Sequence, residues 1–301
     1  MSKATHLHLP LRFGTVGSPT STPRNGGSAE AAARIRELGL SALELAWVQS
    51  VRVSDETCAR IKAAAETNDV AISVHAPYYI NLNADTQEMW LAGRERLLAA
   101  ARAGYKAGAT DIVFHPGSYM KRPPAEAYAI GRDRLSEVVE ILQKEKVAVT
   151  LRPETMGKSA MLGTLEECIA WSREFENVLP CVDFAHLHAR AGDGSFNSYD
   201  EFAGAIRLIA AGLGERGVKR MHIHFSGIAY TAKGEKNHLN LADADIKYKD
   251  LFQALADLGV AGRVVCETPN LEEDAVLMRS AYQRAYARSQ SRKVTQGAAT
   301  R

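Results

Sequence analysis

The stretch AISVH, residues 71–75, is a short apolar run that ends on a histidine, and runs of this kind recur along the whole chain. Each run is rich in β-branched residues and too short for a helix, so each is predicted to be a strand. The segments between them carry apolar residues at helical spacing, as at Leu135, Val138, Val139 and Leu142. The eight runs are Leu11–Val16, Ala42–Trp47, Ala71–Ala76, Asp111–Pro116, Ala148–Glu154, Leu179–His186, Arg220–Ser226 and Arg263–Pro269.

The alternation of eight strands with helices predicts a single (β/α)8 TIM barrel. We assign residues 11–288 to the barrel, residues 1–10 to a flexible N-terminus and residues 289–301 to a flexible basic tail. The alternative, an open doubly wound sheet, is disfavoured because no glycine-rich phosphate-binding motif follows any of the runs. Long loops follow the first, third, sixth and seventh runs, and in a barrel these loops lie on the catalytic face.

The composition excludes several classes of protein. The chain has 301 residues, 46% of them hydrophobic, and a net charge of +2, which excludes a strongly basic nucleic-acid coat but allows a local basic patch. No run of about 18 apolar residues exists, so no membrane span is expected. Cys181 and Cys266 lie inside apolar runs, so we expect buried free thiols and a reducing, cytoplasmic compartment. No obligate protein partner is inferred.

Side chains that commonly ligate metals occupy the ends of these runs. Because the carboxyl ends of barrel strands meet at one rim, side chains delivered there by successive strands come together. A set of this size predicts a metal site with more than one ion at the C-terminal face. We expect His188 to lie behind the ligands or at the surface, and we give no role to His6 and His8. The set is His75, His115, Glu154, Asp183, His186, His222, His224, His238 and Glu267.

Glu154 ends the fifth run and has candidate ligands on the runs to either side of it. It is therefore the natural bridging carboxylate and the candidate catalytic residue, because a bridged pair of ions activates a water in phosphoryl transfer. Histidine and carboxylate ligands without a thiolate favour Zn²⁺, with Mn²⁺ and Fe²⁺ as close competitors. His222 and His224 are two positions apart on one strand, so both are expected on the same side of the sheet.

At these residues the sequence resembles the endonuclease IV family of apurinic/apyrimidinic endonucleases, within the xylose-isomerase-like barrels. The resemblance covers about Leu11 to Arg288 and rests on several motifs together. The motifs are H-x-x-Y-x-I-N-L at 75–82, F-H-P-G-S at 114–118 and, in part, C-x-D-x-x-H-x-x-A at 181–189, followed in the family's order by Met221-His222, His238 and Glu267.

The resemblance implies three zinc ions. The first would be held by His75, His115 and Glu154, the second by Glu154, Asp183, His222 and Glu267, and the third by His186 and His238. The family's third-site aspartate falls on Lys236 here, with Glu235 as the nearest substitute, so a third ion weaker than the other two is expected. His224 stands where the family usually has an amide.

The resemblance also implies an activity, which is hydrolysis of the phosphodiester 5′ to an abasic site in damaged double-stranded DNA, a step of base excision repair. The family's DNA-inserting loop residues fall on Tyr78 and Tyr79, with Arg52 in the loop after the second strand as a further contact. An aromatic wedge makes physical sense because stacking offsets the cost of opening the duplex.

Two other functions are open on the sequence alone. A sugar isomerase or epimerase on the same barrel needs one metal ion, and Glu154, Asp183, His222 and Glu267 would suffice for it. The additional histidines favour the nuclease over that enzyme. A non-catalytic protein that binds DNA damage is the third possibility, and the ligands present on six strands argue against it.

Overall fold

The strands form where the apolar runs predict them. The computed structural model describes residues 9–23, 25 and 27–299. Its strands are β1 (Leu11–Val16), β2 (Ala42–Ala46), β3 (Ala71–His75), β4 (Ala109–Phe114), β5 (Thr150–Pro153), β6 (Cys181–Asp183), β7 (Met221–Phe225), β8 (Gly227–Thr231), β9 (Gly234–Leu239) and β10 (Gly262–Cys266).

Eight of these strands form one parallel sheet in the order β5-β4-β3-β2-β1-β10-β7-β6. The two ends of the sheet meet through isolated parallel bridges from Leu151 to Val178 and from Glu154 to Cys181. The sheet therefore closes on itself, and the predicted (β/α)8 barrel is confirmed. The remaining pair, β8 and β9, is an antiparallel hairpin in the loop after β7, where the sequence predicts only a long loop.

Helices connect the strands and cover the outside of the barrel. They are α1 (Ser28–Glu37), α2 (Asp55–Asn68), α3 (Gln87–Lys106), α4 (Pro124–Lys144), α5 (Leu165–Glu174), α6 (Phe184–Arg190), α7 (Tyr199–Lys219), α8 (Tyr248–Asp257) and α9 (Glu272–Ala299), with a 3₁₀ turn at Leu241–Asp243.

The inside of this barrel is polar, which the alternation along β3 illustrates. Ile72 and Val74 belong to the apolar core, whereas Ser73 and His75 contact acidic side chains inside the barrel. Because a buried charge is costly unless it is paired, these inward-facing groups must find partners among themselves. The sequence predicts inward-facing polar side chains at the strand ends, and in the structure such side chains are found along the whole length of the barrel.

A largely buried ion network lies at the N-terminal end of the barrel. Asp111 on β4 pairs with Arg152 on β5, and its other carboxylate oxygen lies 2.8 Å from a guanidinium nitrogen of Arg263 on β10. Burial works to raise the pKa of Asp111, but the two guanidinium groups outweigh it and hold that pKa far below its ordinary value. The charges at this end are thus paired with one another, whereas buried polar atoms of Glu154, Asp183 and His224 at the C-terminal end have no hydrogen-bond partner within the described residues.

The sixth strand is shorter than the sequence predicts. The apolar run continues through His186, but β6 ends at Asp183 and α6 begins at the next residue. Asp183 is the N-cap of that helix, and its carboxylate accepts a hydrogen bond of 2.8 Å from the backbone N–H of His186. His186 therefore lies in the first turn of a helix rather than on a strand.

The C-terminal helix continues beyond Arg288, where the sequence analysis places a flexible tail. Ser289 is buried, with its hydroxyl 3.4 Å from the carbonyl of Ala256, and Arg292 pairs with Asp257 at 2.7 Å. These contacts with the end of α8 account for a helix that runs to Ala299. Residues 1–8, most of the segment expected to be a flexible N-terminus, lie outside the described residues.

Two expectations drawn from composition can be compared with the structure. The four cysteines are free and buried, as the positions of Cys181 and Cys266 indicate. Within the described part of the chain, no helix is both long and apolar enough to cross a membrane.

Candidate metal centre

Glu154 lies at the centre of the C-terminal rim, directly after β5, with only 1% of its surface exposed. Four imidazole nitrogens surround its carboxylate. At Oε2 these are Nε2 of His75 at 3.5 Å and Nε2 of His115 at 3.3 Å, and at Oε1 they are Nδ1 of His186 at 3.3 Å and Nδ1 of His224 at 3.5 Å. Each oxygen therefore faces its own pair of histidines, which is the arrangement a bridging carboxylate requires.

The loops after β3 and β4 form one unit that carries His75 and His115. Gly117 has a φ of +113°, and a Cβ at this position would lie 2.0 Å from Oδ1 of Asn81. Only glycine tolerates both the backbone conformation and this close approach. Asn81 in turn accepts a 3.3 Å hydrogen bond from the backbone N–H of Ser118. The two motifs that are separate in the sequence are thus tied together.

His75, His115 and Glu154 form the first group of metal-type ligands. A second group contains Glu154, Asp183, His224 and Glu267, whose ligand atoms lie within 4.8 Å of one another. Nδ1 of His224 is 3.5 Å from Oε1 of Glu154 and 3.5 Å from Oε1 of Glu267. His224 therefore takes the place that the sequence analysis gives to His222.

His222 lies one layer deeper in the barrel than expected. Its Nε2 hydrogen-bonds to Oε2 of Glu44 at 3.0 Å, and Glu44 is a residue of β2 that the sequence analysis does not single out. Both histidines of β7 do point into the barrel, as their spacing predicts. The second of them is nearer the rim because two residues of strand advance about 6.6 Å along its axis.

The charges in this deeper layer are set by burial and by mutual contact. Burial works to raise the pKa of Glu44, but the charge of His224 and the hydrogen bond from His222 outweigh it, so that pKa lies well below its ordinary value. Burial lowers the pKa of His222 to about 4 against the pull of Glu44. The layer thus consists of a carboxylate and a neutral imidazole, and the positively charged ring of His224 lies between it and the rim.

The rim fits one or more divalent cations. Within the described residues, Oε2 of Glu154, Oδ2 of Asp183 and Nδ1 of His224 are buried and have no hydrogen-bond partner. Such groups cost free energy unless something satisfies them, and a cation would do so. Burial also raises the pKa of Asp183 to about 6, against the effect of His186. Imidazole nitrogens and carboxylate oxygens together are a donor set that suits Zn²⁺, Mn²⁺ or Fe²⁺.

A third group, formed by His186, Glu235 and His238, lies nearer the solvent. Nε2 of His186 is 3.6 Å from Oε2 of Glu235, and the side chains of Glu235 and His238 are 20% and 28% exposed. Lys236, on which the family's aspartate position falls, is exposed instead. The structure thus brings the nearest substitute, Glu235, into the group.

A β-bulge in the hairpin explains why Glu235 is the residue that joins the group. Ala229 pairs with Asn237 and Tyr230 pairs with Glu235, so Lys236 is an extra residue without a partner. In a regular strand, positions 235 and 238 would point to opposite faces. One extra residue brings both side chains to the same side.

Gly157, in the loop after β5, makes room for this arrangement. A Cβ at Gly157 would lie 2.8 Å from Cβ of Glu235 and 3.1 Å from a ring carbon of His186. The carbonyl of Gly157 also accepts a 2.8 Å hydrogen bond from the backbone N–H of Glu235. The hairpin is therefore docked against the rim at the level of His186.

Two exposed tyrosines stand beside the metal-type ligands. Tyr78 is 48% exposed, and its ring packs against His75 and His115 with centroid distances of 5.5 Å and 5.3 Å. Tyr79 is 66% exposed, and the guanidinium of Arg96 lies 5.9 Å from its ring centre. Tyr78 thus belongs partly to the rim, whereas Tyr79 extends into the solvent.

Arg52 lies on the same face as these tyrosines. The backbone N–H of Tyr78 donates a 3.0 Å hydrogen bond to the carbonyl of Val48, which joins the loop after β3 to the loop after β2. Arg52 is exposed in that second loop. The three residues proposed to contact DNA therefore follow neighbouring strands at one edge of the rim.

His188 is buried behind the rim. Its Nδ1 lies 2.8 Å from the carbonyl of Ser195, and its Nε2 lies 3.0 Å from a carboxylate oxygen of Asp245. It connects α6 to two neighbouring loops and belongs to none of the groups of metal-type ligands among the described residues. Of the two positions expected for it, the one behind the ligands is found.

Comparison with known proteins identifies the family. The family model described as the xylose isomerase-like TIM barrel matches residues 32–287. The chain belongs to this family. An uncharacterized protein of Methanocaldococcus jannaschii is 37% identical over 274 residues, which are 91% of this chain and 97% of that protein. A probable endonuclease 4 of Geobacillus is 28% identical over 214 residues, 67% of each chain.

Solved structures with a similar fold include an endonuclease and a sugar epimerase. Endonuclease IV from Thermus thermophilus has a TM-score of 0.69 at 18% identity, covering 90% of this chain and 99% of that one. L-ribulose 3-epimerase has a TM-score of 0.70 at 15% identity, covering 95% of this chain and 97% of that one. At these identities the likeness shows the fold alone, so function must be argued from the site.

We expect an ion at the third group to be the first one that a mild chelator removes, because this group is the most exposed. Glu235→Gln should weaken that ion further, by about tenfold or more, since the group then lacks its only carboxylate. The measurement is metal content per chain after stepwise dialysis against the chelator.

Lys236→Gln is the matched control for this experiment. It removes a charge from the neighbouring residue, which is exposed and does not belong to the group, and it should leave the release of the ion unchanged. If Lys236→Gln loosened the ion while Glu235→Gln did not, the assignment of Glu235 as the ligand that the β-bulge brings into the group would be wrong.

Proposed function

We propose that this protein is a metal-dependent apurinic/apyrimidinic endonuclease that hydrolyses the phosphodiester 5′ to abasic sites in double-stranded DNA. The observation that supports the proposal most is the carboxylate of Glu154, whose two oxygens face two separate pairs of histidines. The similarity to proteins named probable endonuclease 4 supports it independently. Buried free cysteines are consistent with the cytoplasmic location that such a repair enzyme would have.

The ligands are assigned by geometry and by the resemblance together. We assign His75, His115 and Glu154 to the first ion, Glu154, Asp183, His224 and Glu267 to the second, and His186, Glu235 and His238 to the third. Bound ions at such a site supply an activated water and stabilise the attacking and leaving oxygens of phosphoryl transfer. Zn²⁺ is the expected metal, with Mn²⁺ and Fe²⁺ as substitutes.

The chain's own residues would position the DNA and the ligands. Glu154 fixes the distance between the two inner groups, because it is held from both sides in a buried position. Tyr79 and Arg52 extend from the rim, where they could fill the opened base stack and contact the backbone. The loops of the same face also expose Lys121, Lys158 and Lys233, so phosphate contacts can be local although the net charge is only +2.

The test is a nicking assay on a DNA duplex with a single abasic site, run beside the same duplex without the lesion. Protein loaded with zinc should cut the damaged strand on the 5′ side and leave a 3′-hydroxyl, and the undamaged duplex should stay intact. Metal content per chain is measured on the same sample. Two or more bound ions without any cleavage would contradict the proposed activity.

Replacing the exposed tyrosine, Tyr79→Ala, should weaken binding to the abasic duplex by about tenfold or more, because a stacking contact contributes about 1–3 kcal/mol. Binding to the undamaged duplex should change much less, since only the damaged site gains from a filled stack. Fluorescence anisotropy with both duplexes measures the difference.

Tyr105→Ala is the matched control, since Tyr105 is a 46% exposed tyrosine on α3 outside the rim loops. It should bind both duplexes as the natural chain does. Equal loss of binding for both duplexes in Tyr79→Ala would mean that the ring makes an ordinary surface contact. The double variant of Tyr78 and Tyr79 should lose more, because Tyr78 also packs against His75 and His115.

A sugar isomerase or epimerase is the second candidate. The observation in its favour is that Glu154, Asp183, His224 and Glu267 form a complete four-ligand group, which is enough for a single ion. This function leaves the histidines of the first and third groups without a purpose. Interconversion of an aldose or ketose by a protein with one bound ion per chain, and no nicking of abasic DNA, would establish this function instead.

A further inference from the structure

Glu44 is a fully buried carboxylate in the middle of β2, and the proposed chemistry gives it no part. Its Oε2 accepts a 2.7 Å hydrogen bond from the hydroxyl of Ser73 and lies 3.0 Å from Nε2 of His222. Its Oε1 lies 2.9 Å from Nε2 of His224. A charge in this position is costly to bury, so the contacts that hold it have to compensate.

The two oxygens of Glu44 have different surroundings. Ser73 and His222 occupy Oε2 and anchor the carboxylate from two strands. Oε1 has only the contact with His224, and that contact lacks the alignment of a regular hydrogen bond, since Oε1 and Nε2 both remain without a hydrogen-bond partner within the described residues. One oxygen is therefore fixed, and the other is directed at a single edge of the His224 ring.

The opposite edge of the same ring faces the proposed metal centre. Nδ1 of His224 is 3.5 Å from carboxylate oxygens of both Glu154 and Glu267. A neutral imidazole has one N–H and one lone pair, and its surroundings determine which nitrogen carries the proton. Nε2 lies 2.9 Å from the Glu44 carboxylate, closer than Nδ1 lies to Glu154 or Glu267. When a cation occupies the place beside Nδ1, the remaining proton therefore belongs on Nε2, and the lone pair of Nδ1 is directed at the rim.

We propose that Glu44 is a positioning residue that sets the tautomer and the orientation of His224 for metal binding through Nδ1. The inference rests on one part of the proposed function, which is that His224 binds a metal ion. Glu44 does not reach the rim itself. It acts through His224, and its contacts with Ser73 and His222 hold its carboxylate in place.

The arrangement has a general physical basis. A carboxylate that accepts the second N–H of a ligating histidine fixes the ring and increases the basicity of the ligating nitrogen. Losing such a partner typically reduces metal affinity or activity by about 10–100-fold. With Glu44 removed, His224 would be free to exchange its two tautomers, and only one of them offers Nδ1 to the ion.

The experiment is a chelator-competition titration of Glu44→Gln with Zn²⁺, compared with the natural chain. We expect one ion to bind about 10–100-fold more weakly, while the ion at His186, Glu235 and His238 keeps its affinity. Two-dimensional ¹⁵N–¹H spectra of the histidine rings supply a second readout. The Nε2–H form of His224 should dominate in the zinc-loaded natural chain and lose that dominance in the variant.

Two further variants separate positioning from a structural role. Ser73→Ala removes one anchor of Glu44 and no charge, so it should fold even if Glu44→Gln does not, and it should weaken the same ion to a smaller extent. Asp111→Asn neutralises an equally buried carboxylate at the other end of the barrel. It should lower the melting temperature and leave the zinc affinity and the His224 tautomer as they are.

The inference is overturned if Glu44→Gln, or Ser73→Ala where the former does not fold, binds zinc as tightly as the natural chain with His224 in the same tautomer. Failure of the proposed function looks different. In that case the natural chain would bind zinc through His224, lose affinity on Glu44→Gln, and still not cut abasic DNA.

Discussion

Glu154→Gln is expected to reduce nicking of abasic DNA by about a thousandfold or more, because the residue is proposed to bridge two ions and each role amounts to several kcal/mol of the barrier. A glutamine keeps the shape of the side chain but provides neither the charge nor two equivalent ligand oxygens. Metal content should fall by at least one ion per chain. The measurements are single-turnover cleavage rates and elemental analysis of the same preparations.

Glu167→Gln is the control for this substitution. Glu167 is the third residue of α5 and part of its capping box, where its Oε2 accepts 2.8 Å hydrogen bonds from the backbone N–H groups of Gly163 and Thr164. Losing that cap should cost about 1 kcal/mol of stability without changing metal content. Circular dichroism should show that the Glu154→Gln variant itself is folded. Near-normal turnover in Glu154→Gln would end the assignment of a bridging carboxylate.

His224→Gln and His222→Gln are expected to differ sharply, although the two residues are only two positions apart. His224→Gln should lose one ion per chain and most of the activity, because its Nδ1 faces the carboxylates of Glu154 and Glu267. His222→Gln should retain the ion with lower affinity, because Nε2 of His222 hydrogen-bonds to Glu44 in the layer beneath and its ring packs against His224.

These two variants decide between the ligand set expected from the sequence, which includes His222, and the set drawn from the structure, which includes His224. Metal content and zinc affinity of both variants are compared at equal protein concentration. If His222→Gln lost the ion and His224→Gln kept it, the ligand set implied by the family resemblance would hold in place of the set drawn from the structure. A merely unstable variant would lose all ions together, so the pattern of loss separates ligation from folding.

Much of the rim could be predicted because strand ends in a barrel converge by construction. A histidine or carboxylate that closes an apolar run has to lie at the C-terminal face, and this alone places His75, His115, Glu154 and Glu267. The sequence also contains a signal for Glu44, since burying an acidic residue in the middle of the run ALELA costs free energy unless the residue has a partner. Its partners, on β3 and β7, were not visible from the sequence.

The sequence by itself determined the barrel, the face on which metal-type side chains gather and the types of residue found there, because hydrophobic periodicity and residue type are local properties. Only the tertiary structure decided which side chain of each element reaches which neighbour. His224 rather than His222 faces Glu154 because the depth of a side chain depends on the register of β7 against β6 and β10. Glu235 rather than Lys236 joins the third group because one bulge shifts the alternation of a strand. Register and bulges follow from pairing between distant segments, and no local pattern contains them.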